Sequence, residues 1–236
     1  MSDWKVELIG DRFDLEDLPD WFSEGGIKIE TSDGKYFLLS NTFEELTEES
    51  EIRTEANRLV KLINGIGRVY RENLQTIGIG AIYGTDASGR EVIFEFVKEI
   101  ITIRDKHSDT ITENNGVVKK DSYTFQFDKI RKLLQKDVQV KMVFDYLSKP
   151  AMNWNYLYCI LDAIEEDIDK PVWKEKWASR KSVELFTRTA CSYKAIGVKA
   201  RHAKSKIKPP EKPMKDQEAS HLILKIVKQW LENKLS

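Results

Sequence analysis

The chain has 236 residues, 41% of them apolar and 33% charged, with a formal net charge of −1 at pH 7. That length buries a core without disulfides, and six Trp, eight Tyr and ten Phe exclude a disordered polyelectrolyte. The net charge says nothing about partners, but its distribution does: residues 1–60 hold 16 Asp/Glu against 6 Lys/Arg, and residues 194–215 hold 8 Lys/Arg against one Glu. The acidic region either neutralises the basic one, within a chain or between subunits, or leaves a basic patch free to attract phosphates.

The first stretch, WKVELIG (Trp4–Gly10), alternates apolar and polar residues as a half-buried strand does. Asp14–Phe22 is a short acidic turn or helix interrupted by Pro19. IKIETSDGKYFLLS (Ile27–Ser40) predicts a hairpin around Asp33-Gly34, a pair that readily takes positive φ. A helix follows. Glu48, Glu49 and Glu51 suit its positive end, and Ile52, Ala56, Leu59, Val60 and Ile63 recur at helical spacing. INGIG (Ile63–Gly67) marks its end or a loosening before Val69 and Tyr70. Two more strands are expected over Thr76–Gly84 and Glu91–Arg104, joined by a turn at Thr85–Gly89. Hairpin-linked strands with one long helix indicate an antiparallel α+β arrangement rather than βαβ units.

Asp105–Ser122 is polar and rich in Asn, Asp and Ser, and reads as a loop or linker. The expected organisation is an α+β domain over residues 1–107, a polar loop or linker over 108–122, and a helical bundle over 123–236. The bundle reads as a helical stretch through Ile130, Leu134, Val140, Phe144 and Leu147, stopped at Pro150. Next come a helix through Trp154–Ile168, a helix or helix pair within SVELFTRTACSYKAIG, and a last helix from about Asp216. In the last helix Ala219, Leu222, Ile223, Ile226, Val227, Trp230 and Leu231 form one apolar stripe that must pack on something.

Few motifs carry chemistry. GIGAIYG (Gly78–Gly84) is one residue off a dinucleotide fingerprint and lies inside a strand, where glycine more often marks a bulge or close backbone approach. Asp162, Glu165, Glu166, Asp167 and Asp169 pair along a helix, but with no His nearby they read as a solvated acidic face. Cys159 and Cys191 stand in apolar helical patterns with no CxxC and no zinc spacing. That predicts two buried free thiols in a reducing compartment, and no metal or cofactor. Of three histidines, His107 falls in the polar loop and His221 beside the apolar stripe. His202 follows Arg201 in a Lys-dense segment and titrates in the range useful for proton transfer.

VKARHAKSKIKPPEKPM (Val198–Met214) carries the basic charge. Lys199, Lys204, Lys206 and Lys208 are candidate anion-binding residues. Only Tyr193 stands near them as an aromatic, so the plainer reading is a solvated strap stiffened by Pro209-Pro210. Met214 is then a hydrophobic plug at the start of the last helix, with Asp216 and Glu218 in its first turn. The opening MSDWKVELIG lacks the apolar core of a signal peptide, and no run approaches the roughly 20 apolar residues of a membrane helix. A soluble cytoplasmic protein with no membrane association is expected.

WNYLYCILDAIEED, KWASRKSVELFTRTACSYKAIGVKARHA and PPEKPMKDQEASHLILKIVKQWL resemble the C-terminal half of a widespread group of uncharacterised bacterial proteins. The opening WKVELIGDRFDLEDLPDWF is similar to their start. The helical half also resembles HEPN-type bundles, some of which cut RNA in defence and toxin systems. HEPN ribonucleases place a His after an Arg and four to six intervening residues. Here Arg201 and His202 are adjacent, and Arg188 lies 14 residues before His202. Arg188, Arg201 and His202 are therefore the catalytic candidates on a pattern that departs from the family's. The expectation is a non-enzymatic interaction or regulatory module of a bacterial cell, in stress or defence, with a protein partner or a second copy of itself. The alternative is a HEPN-like protein that binds or cleaves RNA.

Overall fold

The computed structural model describes residues 4–23, 25–71, 74–85, 90–95, 123–202 and 208–236. The expected turn beyond Thr85, the continuation of the next strand past residue 95, the polar loop over 108–122 and His107 lie outside the described residues. The fold is α+β. Two compact units divide it, one comprising Met1–Val60 and Gln75–Asp128, the other Lys61–Leu74 and Lys129–Ser236. The helix over residues 49–70 therefore contributes to both units.

The first unit holds a five-stranded antiparallel sheet in the order β2-β3-β1-β4-β5. Its strands are β1 (Lys5–Ile9), β2 (Ile27–Ser32), β3 (Lys35–Ser40), β4 (Gly78–Thr85) and β5 (Glu91–Phe94). Two short helices, α1 (Arg12–Glu16) and α2 (Leu18–Trp21), follow β1. Pro19 sits in the first turn of α2, where a missing N–H is harmless. The β2–β3 turn takes φ of 51° at Asp33 and 73° at Gly34, as a two-residue hairpin requires. Period-two alternation then sends Val6, Leu8, Ile29, Leu38 and Ile82 into the core, all almost fully buried. The register between β1 and β4 shifts between Val6 and Leu8, opposite the stretch containing Gly80. A Cβ at Gly80 would lie 3.1 Å from Ile9 Cγ2, so this glycine permits close approach of neighbouring strands. Buried Asp14 accepts from the Gln75 N–H at 2.8 Å.

The second unit is helical. The end of α3 (Glu49–Tyr70) is joined by α4 (Tyr123–Lys136), α5 (Val138–Leu147), α6 (Trp154–Ile168), α7 (Arg180–Ala190), α8 (Tyr193–Ile196) and α9 (Asp216–Leu235), with α4 also entering from the first unit. INGIG neither ends nor loosens α3. The helix is continuous through it, and Gly65 leaves room for Phe144, whose Cδ1 would stand 2.7 Å from an added Cβ. The stretch expected as one helix before Pro150 is two. Asp137 adopts extended backbone and caps α5, accepting from the N–H groups of Gln139 and Val140 at 3.0 Å. Buried Arg68 closes the other end of α5: its guanidinium donates to the carbonyls of Leu147, Lys149 and Pro150. The Leu147 carbonyl is a helix-end group that lacks an intrahelical partner, and the other two lie just beyond the helix.

The last helix docks as its stripe demands. α9 packs on α6, burying Ile223, Ile226, Val227, Trp230 and Leu231. One detail differs: Leu222 is half-buried and Leu224 takes the core position. Met214 is the expected plug, buried, with its N–H donating to Thr189 Oγ1 at 3.2 Å. The cysteines are free, as expected, but half-buried rather than buried. Among the described residues no helix is long and apolar enough to cross a membrane.

Candidate functional site

Antiparallel pairing brings the starts of β1, β2 and β5 together with the ends of β3 and β4. A cleft of about 740 Å³ opens at this end of the sheet, its lining including Trp4, Lys5, Lys28, Leu39, Tyr83 and Ile93. With Val6 and Leu8 committed to the core, Lys5 and Glu7 must point to the other face. The register Glu7↔Phe37 and Lys5↔Tyr83 places two rings beside them. Phe37 and Tyr83 meet edge-to-face with centroids 5.3 Å apart. Lys5 Nζ stands 4.7 Å from the Phe37 centroid and 5.7 Å from that of Tyr83, within cation–π range. Lys35 Nζ donates to the Tyr83 hydroxyl at 3.1 Å and to Glu7 Oε2 at 3.2 Å, and Tyr83 donates to the same carboxylate oxygen at 3.1 Å. The Tyr83 bond, followed by the Glu7 carboxylate, raises the Lys35 ammonium above its ordinary range.

Trp4 forms the wall at the start of β1. Its indole N–H donates to the Leu46 carbonyl at 3.2 Å, and a Cβ built at Gly84 would overlap its ring. The last glycine of GIGAIYG thus admits an indole. Among the described residues the next element after β4 is β5, not the helix a dinucleotide motif needs.

In the helical unit, the acidic residues of α6 are not simply a solvated face. Asp162 Oδ2 accepts from Arg201 Nη1 at 2.9 Å, Asp167 accepts from Trp230 Nε1 and Lys234 Nζ at 2.8 Å each, and Glu165 accepts from the Val172 N–H at 3.0 Å. Burial raises the Glu165 carboxyl. Glu166 and Asp169 are exposed as the charge run suggested, and Asp162 is exposed but paired. Arg201 is clasped from two sides, its guanidinium carbon 4.0 Å from the centroid of the Tyr158 ring. Burial acts to lower the Arg201 pKa, but the Asp162 carboxylate and the Tyr158 hydroxyl together outweigh it and the net direction is upward. Its backbone N–H donates to the Ala190 carbonyl at 2.9 Å, at the end of α7. The Tyr158 hydroxyl and the Cys191 thiol are hydrogen-bonded, and burial pushes both up. Cys191 is thus held as a thiol, the poorly nucleophilic form.

The catalytic candidates are not gathered by side-chain contacts. Arg201 is engaged by Asp162 and Tyr158, whereas Arg188 and His202 are exposed and bond to no described residue. Among the anion-binding candidates, Lys199 pairs with Asp216 at 2.8 Å and Lys208 is exposed. Lys204 and Lys206 lie outside the described residues. The Lys199 bond, with a second from the Trp154 indole at 2.9 Å, holds the Asp216 carboxyl below its ordinary range. These groups edge a recess of about 190 Å³ beside Asn153 and Ser220. Among the described residues no three His, Cys, Asp or Glu side chains are placed to hold a metal.

The sheet cleft went unread in the sequence. Alternation alone puts Lys5 with Glu7, and Lys35 with Phe37 and Leu39, but only the strand order and register join these sets to Tyr83 and Ile93. No protein-family model matches the chain, and no curated protein or solved structure matches it.

Proposed function

We propose that the protein is a non-enzymatic interaction module of the bacterial cytoplasm that binds a segment of a partner protein in the sheet-end cleft. The observation that carries this reading is the cleft's composition. It combines exposed apolar surface, with Ile93 57% exposed, and a lysine over two aromatic rings. Clefts of a few hundred cubic ångströms with apolar walls and few polar groups are common binding sites. In the helical unit, by contrast, Arg201, Asp162, Lys199 and Asp216 are occupied with one another or with neighbouring rings. The free half-buried thiols fit a reducing compartment. A role in stress or defence follows only from the resemblance of the helical half to HEPN-type bundles. The test is hydrogen–deuterium exchange of the full chain against fractionated cell lysate. Partner-dependent protection confined to residues 4–5, 25–30, 39–44, 83–85 and 91–93 is expected. Protection elsewhere, or turnover of a substrate by the pure chain, would sink the reading.

A second reading, single-stranded RNA binding by a HEPN-like bundle, is favoured by one observation. Tyr193 is 44% exposed next to Lys194, on a unit whose Arg188 and His202 are also exposed. An exposed ring among cations is the element a base-stacking surface needs. RNA binding that weakens steeply with salt and is lost in Tyr193→Ala supports it. Cleavage abolished by combined Arg201→Ala and His202→Ala supports the catalytic form. No binding at low salt removes it.

A further inference from the structure

We infer that the sheet-end cleft recognises a carboxylate on a mixed-charge peptide segment, with Lys5 as its seat. This rests on the reading of the cleft as the partner-binding face and specifies what that partner presents. Among the described residues three lysines stand on this face of the sheet, Lys5, Lys28 and Lys35, and two are neutralised within the protein. Lys35 is held by Glu7 and Tyr83, and Lys28 pairs with Glu30 at 2.5 Å. Lys5 differs: the residue is half-buried, and its ammonium stands over Phe37 and Tyr83 and makes no hydrogen bond or ion pair with any described residue.

Aromatic rings offer an ammonium only their quadrupole; they neither neutralise its charge nor replace the hydrogen bonds it had in water. A carboxylate arriving from a ligand supplies both, in a charge-assisted bond about twice as strong as a neutral one. The nearest internal carboxylate on the strand, Glu7, is already engaged by Lys35 and Tyr83, so Lys5 is left for an external anion.

The rest of the lining narrows the anion's carrier. Glu44 and Glu91 also line the cleft, exposed and without a bond to any described residue. A nucleic-acid strand would bring several phosphates past these two carboxylates to reach one lysine, and like charges in apposition are unfavourable. A peptide carrying one carboxylate between basic residues satisfies Lys5 and both glutamates. Leu39 and Ile93 provide apolar surface for the side chains between them. The occupant is therefore a short peptide segment with an acidic residue flanked by apolar and then basic ones.

The probe is a pair of labelled peptides, acetyl-Lys-Leu-Asp-Leu-Lys-amide and the same sequence with Asn for Asp, titrated against the full chain by fluorescence anisotropy. The Asp peptide is expected to bind about tenfold tighter than the Asn peptide, a difference of about 1.4 kcal/mol. Lys5→Met should erase that preference, Lys5→Arg should restore it, and Ile93→Glu should weaken both peptides. Equal binding of the two peptides, a preference that survives Lys5→Met, or no binding of either overturns the inference. The reading of the cleft as the partner face fails separately, if exchange protection by the natural partner falls outside it.

Discussion

Arg68→Met should be among the most destabilising single substitutions in the helical unit. Arg68 is only 4% exposed, and its guanidinium donates to three carbonyls at and just beyond the end of α5. Burial lowers its pKa from the ordinary arginine value, so the charge is held there against a desolvation penalty. Methionine keeps much of the stem's packing and removes every donor. The Leu147 carbonyl is left in buried surroundings, whereas Lys149 and Pro150 are exposed and water can reach their carbonyls. One buried acceptor stripped of its partner costs about 1–3 kcal/mol and two partly solvated ones add about 0.5 kcal/mol each, giving about 3 kcal/mol in total. For a chain of this size each kcal/mol moves the melting temperature by about 2–4 °C, so a fall of roughly 6–12 °C is expected. Urea denaturation followed by far-ultraviolet circular dichroism measures the change. Arg68→Lys, which keeps the charge but not the planar fork, should fall between the two. A loss below about 0.5 kcal/mol for Arg68→Met would show that α5 does not need this cap, and would refute the argument.

Other consequences are equally specific. A chain ending at Pro213 removes α9 and with it the buried Ile223, Ile226, Val227 and Trp230, each worth about 1.5–3 kcal/mol in burial. It should aggregate or lose its cooperative melt, and a truncated protein that melts like the full chain would refute the docking argument. Gly84→Ala should cost about 1–3 kcal/mol, because its Cβ would overlap the Trp4 ring. It should also shift the fluorescence contributed by Trp4, and an unchanged melt with unchanged emission would be contrary to expectation. Burial alone would raise Asp137, but the bonds from Lys234 and from the Val140 and Gln139 N–H groups lower it below its ordinary 3.8. A depressed carboxylate contributes stability that is present above the unfolded pKa and lost as pH falls through the folded one. Asp137→Asn should therefore flatten the acid limb of a stability–pH profile below about pH 4 while leaving its shape near neutral pH unchanged. An acid limb identical to that of the parent chain would contradict this.

Much of the fold is legible in local pattern. The Asp33-Gly34 turn, the alternation in β1 and β3, and the 3.6-residue stripe of α9 each follow from short-range sterics and burial that a dozen residues encode. The break at Asp137 was not read, because helical periodicity on both sides concealed a capping residue inside the run. The charged residues were far less readable. In the α6 run, Asp162, Glu165, Asp167 and the solvated Glu166 look alike in sequence. Their roles depend on whether Arg201, the Val172 N–H or Lys234 arrives from distant chain. The same holds for the cleft, whose members come from five strands.

The sequence by itself determined the fold class, the hairpin, the helical half and the helix that must dock, because propensity, turn geometry and hydrophobic period act over a few residues. Only the tertiary structure decided which charges are spent internally and which face outward. Coulombic and hydrogen-bond partners are chosen by strand register and helix packing, over separations of 39 residues for Arg201 with Asp162 and 67 for Lys234 with Asp167. That choice moved the candidate site from the basic segment around Arg201 to Lys5 at the sheet's end.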